Sequence, residues 1–197
     1  MIKTLLFDYA GVITPTRNNY VFVEKYHKKY KLKPRELMKI TYENWEQTAD
    51  GKLESKLFWN NIAHKLQTTP PTIRRQILST YPIDKRLIQL LTKLKEKYTL
   101  VLVSNQIRDW LEEVIEQNNL REIFDYTVNS YQVGFRKPNS KIFKHALSIT
   151  GSKPEEAIFI DDAQINITAA NKLGINTILF TDYRNFKQEL NFLLKNT

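Results

Sequence analysis

The chain predicts an α/β fold: a doubly wound parallel sheet with a small helical segment inserted after the first strand. Three observations carry this expectation. Short apolar runs at 5–7, 100–103, 157–160 and 177–180 alternate with stretches of helical spacing, the pattern of strands buried on both faces and joined by helices. Three of those runs end in polar groups: Asp8, Ser104 with Asn105, and Asp161 with Asp162. Parallel strands would bring these ends to one edge, where open α/β sheets bind their ligands. Finally, residues 16–82 show helical spacing and no strand pattern, as expected of a helical insert beside a strand-containing core.

Taken in order, the first run, Leu5-Leu6-Phe7, meets Asp8 and is closed by Gly11 and Pro15. After an irregular stretch at 11–19, residues 24–30 are polar with interleaved aromatics. Pro34 can open a helix carrying Leu37, Ile40 and Trp45. Residues 49–52 read as a turn, and Ser55 starts a helix with Leu57, Phe58, Ile62 and Leu66 on one face. Pro70-Pro71 breaks it, and 73–78 resumes. Leu87, Leu90, Leu91 and Leu94 form an apolar helix face, as do Ile107, Trp110, Leu111, Val114 and Ile115. Residues 126–128 form a short strand. A loop at 132–137 leads to Pro138 in a first helical turn, followed by Ile142, Phe143, Ala146 and Leu147 on a buried face. Ile165, Ala169 and Leu173 suggest the face of the next helix, with Gly174 as its C-cap. The last helix covers 186–194.

The 197 residues suit one domain, or one domain with a modest insertion. There is no cysteine, which excludes disulfides, thiolate metal sites and a Cys nucleophile. The N-terminal apolar run is short and interrupted by Asp8, so no signal peptide is expected. No stretch approaches the ~20 apolar residues of a membrane span. The expected location is cytoplasmic, the expected state a monomer or homodimer. The net charge of +9 favours anionic ligands. Its densest run, K-Y-H-K-K-Y-K-L-K-P-R at 25–35, could meet nucleic acid, but is read as one solvated helix face.

Each polar strand end has a plain structural reading. Asp8 could close a turn, Ser104 and Asn105 could cap the next helix, and so could Asp161 or Asp162. Lys137 alone reads as a surface lysine. Together they suggest one chemistry. Carboxylates on one edge suit a hard divalent cation such as magnesium. A hydroxyl, an amide and an ammonium beside them can hold phosphoryl oxygens. Asp8 would attack phosphorus, with the cation and Lys137 neutralising the like-charge repulsion. A small phosphorylated substrate is therefore expected.

Four motifs carry a family resemblance: F-D-Y-A-G-V around Asp8, L-V-S-N around Ser104, G-F-R-K-P around Lys137 and F-I-D-D-A-Q-I-N-I around Asp162. The chain resembles the haloacid dehalogenase-like hydrolases with a small helical cap of the C1 type. The wording of the last three motifs is most similar to the bacterial glucose-1-phosphate phosphatase branch. The resemblance implies a Rossmann-like core at 1–15 and 83–197 and a cap at 16–82. It implies Asp8 as nucleophile and metal ligand. Ser104, the Asn105 backbone and Gly11 would bind the phosphoryl group, and Lys137 would balance charge. Magnesium would be held by Asp8, the Ala10 carbonyl and Asp162, with Asp161 close by and Asn166 in support. Tyr42, Trp45 and Trp59 would line the substrate pocket or form cap core.

One position departs from the pattern. Phosphatases similar to this chain usually carry a second Asp two residues after the nucleophile; here it is Ala10. A backbone carbonyl still serves a metal, but no side chain protonates the leaving group. Losing a general acid–base costs about 10²–10⁴ in rate. The first reading is a magnesium-dependent phosphatase favouring good leaving groups: anomeric sugar phosphates, acyl phosphates or phosphoanhydrides. The second is a non-catalytic relative that binds a phosphorylated ligand or a protein. The third is a dehalogenase, whose halide leaves without a proton but whose chemistry gives the Asp161–Asp162 pair no task. Tyr9 and Thr14 stand near Ala10 in sequence as possible replacements.

Overall fold

The computed structural model describes residues 1–196. Its centre is β1 (Thr4–Phe7), four residues with no exposed side chain. Leu5 and Phe7 face one side of the sheet and Leu6 the other, so both faces are buried and the strand reads as a continuous apolar run. Each such side chain contributes about 1.5–3 kcal/mol by leaving water.

Four strands join it: β2 (Thr99–Ser104), β3 (Tyr126–Asn129), β4 (Ala157–Asp161) and β5 (Asn176–Leu179). All pairings are parallel, in the order β3-β2-β1-β4-β5. The predicted doubly wound sheet is therefore present. Phe7 is level with Leu102 on one side and Ile160 on the other. One residue further, Asp8, Val103 and Asp161 share a level at the C-terminal edge. The chain leaves β1 toward β2 and later returns to β1's other side as β4, so Asp8 stands at the switch point.

Six helices separate β1 from β2 along the chain, the first five being α1 (Tyr20–Tyr26), α2 (Pro34–Tyr42), α3 (Trp45–Ala49), α4 (Ser55–Lys65) and α5 (Pro70–Leu78). They are followed by α6 (Lys85–Leu94), α7 (Arg108–Gln117), the short α8 (Ser130–Val133), α9 (Ser140–Thr150), α10 (Gln164–Asn171) and α11 (Tyr183–Asn196). Apolar residues of the first five helices share one buried cluster with Phe7, Leu102 and Trp110.

The structure corrects several local readings. The helix expected from Pro34 to Trp45 is two helices, because Asn44 takes a left-handed conformation (φ 62°) between them. This break turns Trp45 onto its own short helix. α5 begins at Pro70, not after the proline pair: both prolines fit the first turn, where no intrahelical N–H is needed, and Thr69 accepts from the Thr72 N–H. Pro138 lies outside the helix it was expected to open. α9 starts at Ser140 with Asn139 as cap, and the Lys137–Pro138 peptide is cis. Leu57 is 51% exposed and Ile165 65% exposed, so neither lies on its predicted face. In α10 the buried set is Asn166, Ile167 and Ala170. The helix is rotated to send Asn166 toward the sheet edge, a polar demand that apolar spacing does not register. Residues 130–133, partly inside the expected loop, form α8.

Among the described residues, no helix is long and apolar enough to cross a membrane. Lys25 and Lys29 lie over the Tyr26 ring, on the exposed side of α1 and the turn that follows it.

Candidate active site

The site is built on the strand ends and centred on Lys137. Its ammonium lies 2.6 Å from Asp8 Oδ1, and donates to Asp161 Oδ2 at 2.8 Å and to the Val103 carbonyl at 2.9 Å. An ammonium has three donors, and all three are engaged on groups that β1, β2 and β4 hold level. Lys137 is buried and is no surface lysine. Burial lowers its pKa, but the two carboxylates outweigh this and the ammonium's pKa is raised. Its backbone is fastened as well: Asn105 Nδ2 donates to the Lys137 carbonyl at 2.9 Å, and Asn105 Oδ1 accepts from its N–H at 2.7 Å. The Asn105 side chain thus positions the lysine loop, a task separate from any its backbone performs.

Asp161 is fully buried and heavily bonded. Oδ1 accepts from the Ala163 N–H at 2.8 Å, and Asn166 Nδ2 donates to both oxygens at 3.0 Å. Asp162 is half-buried, and its carboxylate abuts Gly11. A Cβ on Gly11, whose φ is +93°, would lie 2.4 Å from that carboxylate. Gly11 therefore makes room for Asp162. It is absent from the cleft wall, and its N–H is engaged by the Thr14 carbonyl at 2.8 Å. Oxygens of Asp8, Asp161 and Asp162 all lie within 4.8 Å of one another. Burial is the main cause that lifts the Asp8 pKa from 3.8 to about 7 against the pull of Lys137, and burial with Asp161 beside it pushes Asp162 up too. Crowded carboxylates of this kind have oxygen donors, charge and proximity suited to a hard divalent cation.

A cleft of about 200 Å³ opens over these groups. Asp8, Ala10, Ser104, Asn105, Lys137, Asp162 and Asn166 line it, which brings most of the sequence-predicted set together. Asp161 sits behind, in contact with Lys137. Tyr42 and Trp45 also reach the cleft, whereas Trp59 is buried against Phe58 and Trp110. Tyr9 and Thr14 are fully buried and absent from the cleft wall, so neither takes the place of an acid–base at Ala10.

Sequence reasoning missed the part in the wall of Arg17, Asn19, Tyr81, Gln106 and Trp110. Tyr81 donates to Asn19 Oδ1 at 2.9 Å, and the Asn19 N–H meets the Tyr42 hydroxyl at 3.5 Å. Trp45 Nε1 donates to Gln106 Oε1 at 3.4 Å. Arg17 Nε lies 3.0 Å from Asp162 Oδ2. The trace of Arg17 and Asn19 in the sequence was that 11–19 followed no period, and Trp110 was read as part of an apolar helix face.

A parallel sheet with a carboxylate at its switch point, a buried lysine and paired acidic residues at the end of the neighbouring strand suits a haloacid dehalogenase-like core. The chain belongs to that family: the model of the haloacid dehalogenase-like hydrolases matches residues 5–180. Among its relatives is D-ribitol-5-phosphate phosphatase of Bacteroides thetaiotaomicron, 25% identical over 206 residues and covering 98% of this chain and 99% of that protein. Bifunctional epoxide hydrolase 2 of Rattus norvegicus is 28% identical over 162 residues, 77% of this chain; the match spans only 28% of the rat protein. A crystal structure of a family enzyme from Bacteroides thetaiotaomicron, in complex with magnesium and inorganic phosphate, superposes with a TM-score of 0.78 at 27% identity, over 93% of this chain and 98% of that one.

Proposed function

We propose that the chain is a magnesium-dependent phosphatase for a small phosphorylated metabolite, with Asp8 as nucleophile. The observation that carries this reading is the Asp8 carboxylate 2.6 Å from a buried ammonium, at the floor of a small cleft shared with Asp162. The family relatives that are phosphatases, and the related enzyme seen with magnesium and phosphate, support it.

In this reading Asp8, Asp162 and the Ala10 carbonyl hold the cation, with Asp161 behind them keeping Lys137 charged and in place. Bound magnesium neutralises phosphoryl and carboxylate charge as they approach. Ser104 and the Asn105 backbone N–H receive phosphoryl oxygens, and Lys137 offsets the negative charge on Asp8. The carboxylate attacks phosphorus, the bond to the leaving oxygen breaks, and an aspartyl-phosphate forms on Asp8. Water then attacks phosphorus, Asp8 is released as a carboxylate, and the proton of the water ends on inorganic phosphate. Residues 16–82 serve as a cap of the C1 type over the leaving group. The aromatic walls from Tyr42, Trp45, Tyr81 and Trp110, with amides from Asn19 and Gln106, suit a hydroxylated carbon skeleton. A sugar phosphate is the favoured substrate, one esterified at its anomeric carbon above all, since that leaving group needs the least help from an acid. This also agrees with the resemblance to the glucose-1-phosphate branch.

Ala10 favours a second reading, a chain that binds phosphorylated ligands without turning them over. A panel of phosphate esters, assayed with and without magnesium, separates the two. The proposal expects magnesium-dependent turnover that Asp8→Asn abolishes. Ligand-dependent stabilisation without turnover on any ester would support the second reading.

A further inference from the structure

We propose that Arg17 does by charge what the missing acid would do by proton transfer: its guanidinium receives the negative charge that develops on the leaving oxygen. The inference rests on the phosphatase reading above.

The cleft wall contains two permanently cationic side chains, Lys137 and Arg17, and no histidine. Lys137 has all three donors engaged at the floor, against Asp8, Asp161 and the Val103 carbonyl. Arg17 is different. It pairs with Asp162, and its side chain is 58% exposed at the mouth. The guanidinium carries five donors, so most of them remain for a ligand.

The backbone around it is anchored on both sides. Thr16 Oγ1 donates to the Thr80 carbonyl at 2.7 Å, and buried Asn19 accepts from Tyr81 and donates to Tyr42. Arg17 thus has an anchored backbone and an exposed head, the arrangement needed to aim a charge without closing the cleft. The Tyr81 hydroxyl gives its proton to Asn19 Oδ1, the Tyr42 hydroxyl accepts from the Asn19 N–H, and burial pushes both further from ionisation. Neither is a ready proton donor. Asp162, the partner of Arg17, is the carboxylate assigned above to the cation, and an ion there would free the guanidinium to turn toward substrate.

In the step itself, an Asp8 oxygen bonds to phosphorus and the bond from phosphorus to the leaving oxygen breaks. The electron pair stays on that oxygen, which departs as an anion beside Arg17 and takes its proton from water afterwards. The interaction grows with the charge on the leaving oxygen, so it exists mainly in the transition state.

The test is a leaving-group series of aryl phosphates, from dinitrophenyl to phenyl, with magnesium, comparing the wild-type chain with Arg17→Met and Arg17→Lys. Arg17→Met is expected to lose less than about threefold in kcat/KM on the dinitrophenyl ester and about 10²-fold on the phenyl ester. The dependence of log kcat/KM on leaving-group pKa therefore steepens, Arg17→Lys falls between, and added guanidinium ion partly restores Arg17→Met. A loss that is equal across the series means that Arg17 has only a structural or binding role and overturns the inference, while leaving Asp8-dependent turnover intact. Wild-type chain that turns over no aryl phosphate overturns the phosphatase reading, and the inference with it.

Discussion

The floor and the roof of the cleft are built on different principles. On the floor, Asp8, Lys137 and Asp161 are buried groups engaged with one another across strands in register and braced by Asn105 and Asn166. On the roof, Arg17, Asn19, Tyr42, Trp45 and Tyr81 come from separate segments between β1 and α6, tied by single hydrogen bonds and ring contacts. On the proposed function, the floor has the rigidity that phosphoryl transfer asks for, and the roof has the variety that substrate choice asks for. The two meet where Arg136, next to Lys137, pairs with Asp50 at 2.6 Å and Glu46 at 3.2 Å and lies over the Trp45 ring. Trp45 and Gln106 then connect across the cleft.

If this contrast is right, breaking the floor has the largest effect. Lys137→Met leaves Asp8 and Asp161 buried without their cation, and removing one partner of a buried pair typically costs about 3–5 kcal/mol. Urea denaturation of the metal-free chain should show a loss of that order, together with loss of turnover. A change below about 1 kcal/mol would mean that the floor behaves like a surface ion pair.

The same contrast explains what the sequence made legible. A strand buried on both faces has to be apolar throughout, so its polar end stands out; Asp8, Ser104 and Asp161 were readable for that reason. Lys137 became readable only in company with them. Arg17 and Asn19 follow no period; Asn19 is held by Tyr42 and Tyr81 folding back upon it, and Arg17 reaches Asp162. The break at Asn44 rests on one left-handed residue in otherwise helical spacing, and it decides where Trp45 points. Asn166 was placed as a support, yet the helix face that presents it was misread, because Ile165 is apolar and exposed.

The Asp8 pKa is raised in the folded chain, from 3.8 to about 7, mainly by burial. Between those values the folded chain retains a proton that the unfolded chain has released. Stability of the metal-free chain should therefore fall as pH rises from about 4 to about 7, by an amount on the order of 1–4 kcal/mol. Asp8→Asn removes that slope. Thermal melts of both proteins across the interval check it, and parallel curves would contradict the assignment.

Roof substitutions should do less to stability and more to substrate choice. Asn19→Ala leaves the Tyr81 hydroxyl buried without its acceptor, which costs about 1–3 kcal/mol. Its effect on turnover should appear in KM more than in kcat, as steady-state kinetics on a preferred ester would show. The smallest effect belongs to the exposed Arg17–Asp162 pair. Such pairs contribute about 0.2–1 kcal/mol, so Arg17→Met should tighten magnesium binding by no more than about fivefold in calorimetry. Weaker binding would mean that Arg17 supports the cation site and does not compete for it.

The central claim is that the floor transfers a phosphoryl group to Asp8. The most direct test is to quench the enzyme during turnover of a phosphate ester with magnesium, digest it, and find by mass spectrometry which peptide carries phosphate. The account predicts a base-labile phosphoryl group on the peptide containing Asp8, absent in Asp8→Asn and absent without magnesium. Turnover that persists in Asp8→Asn, or phosphate on any other residue, would contradict it.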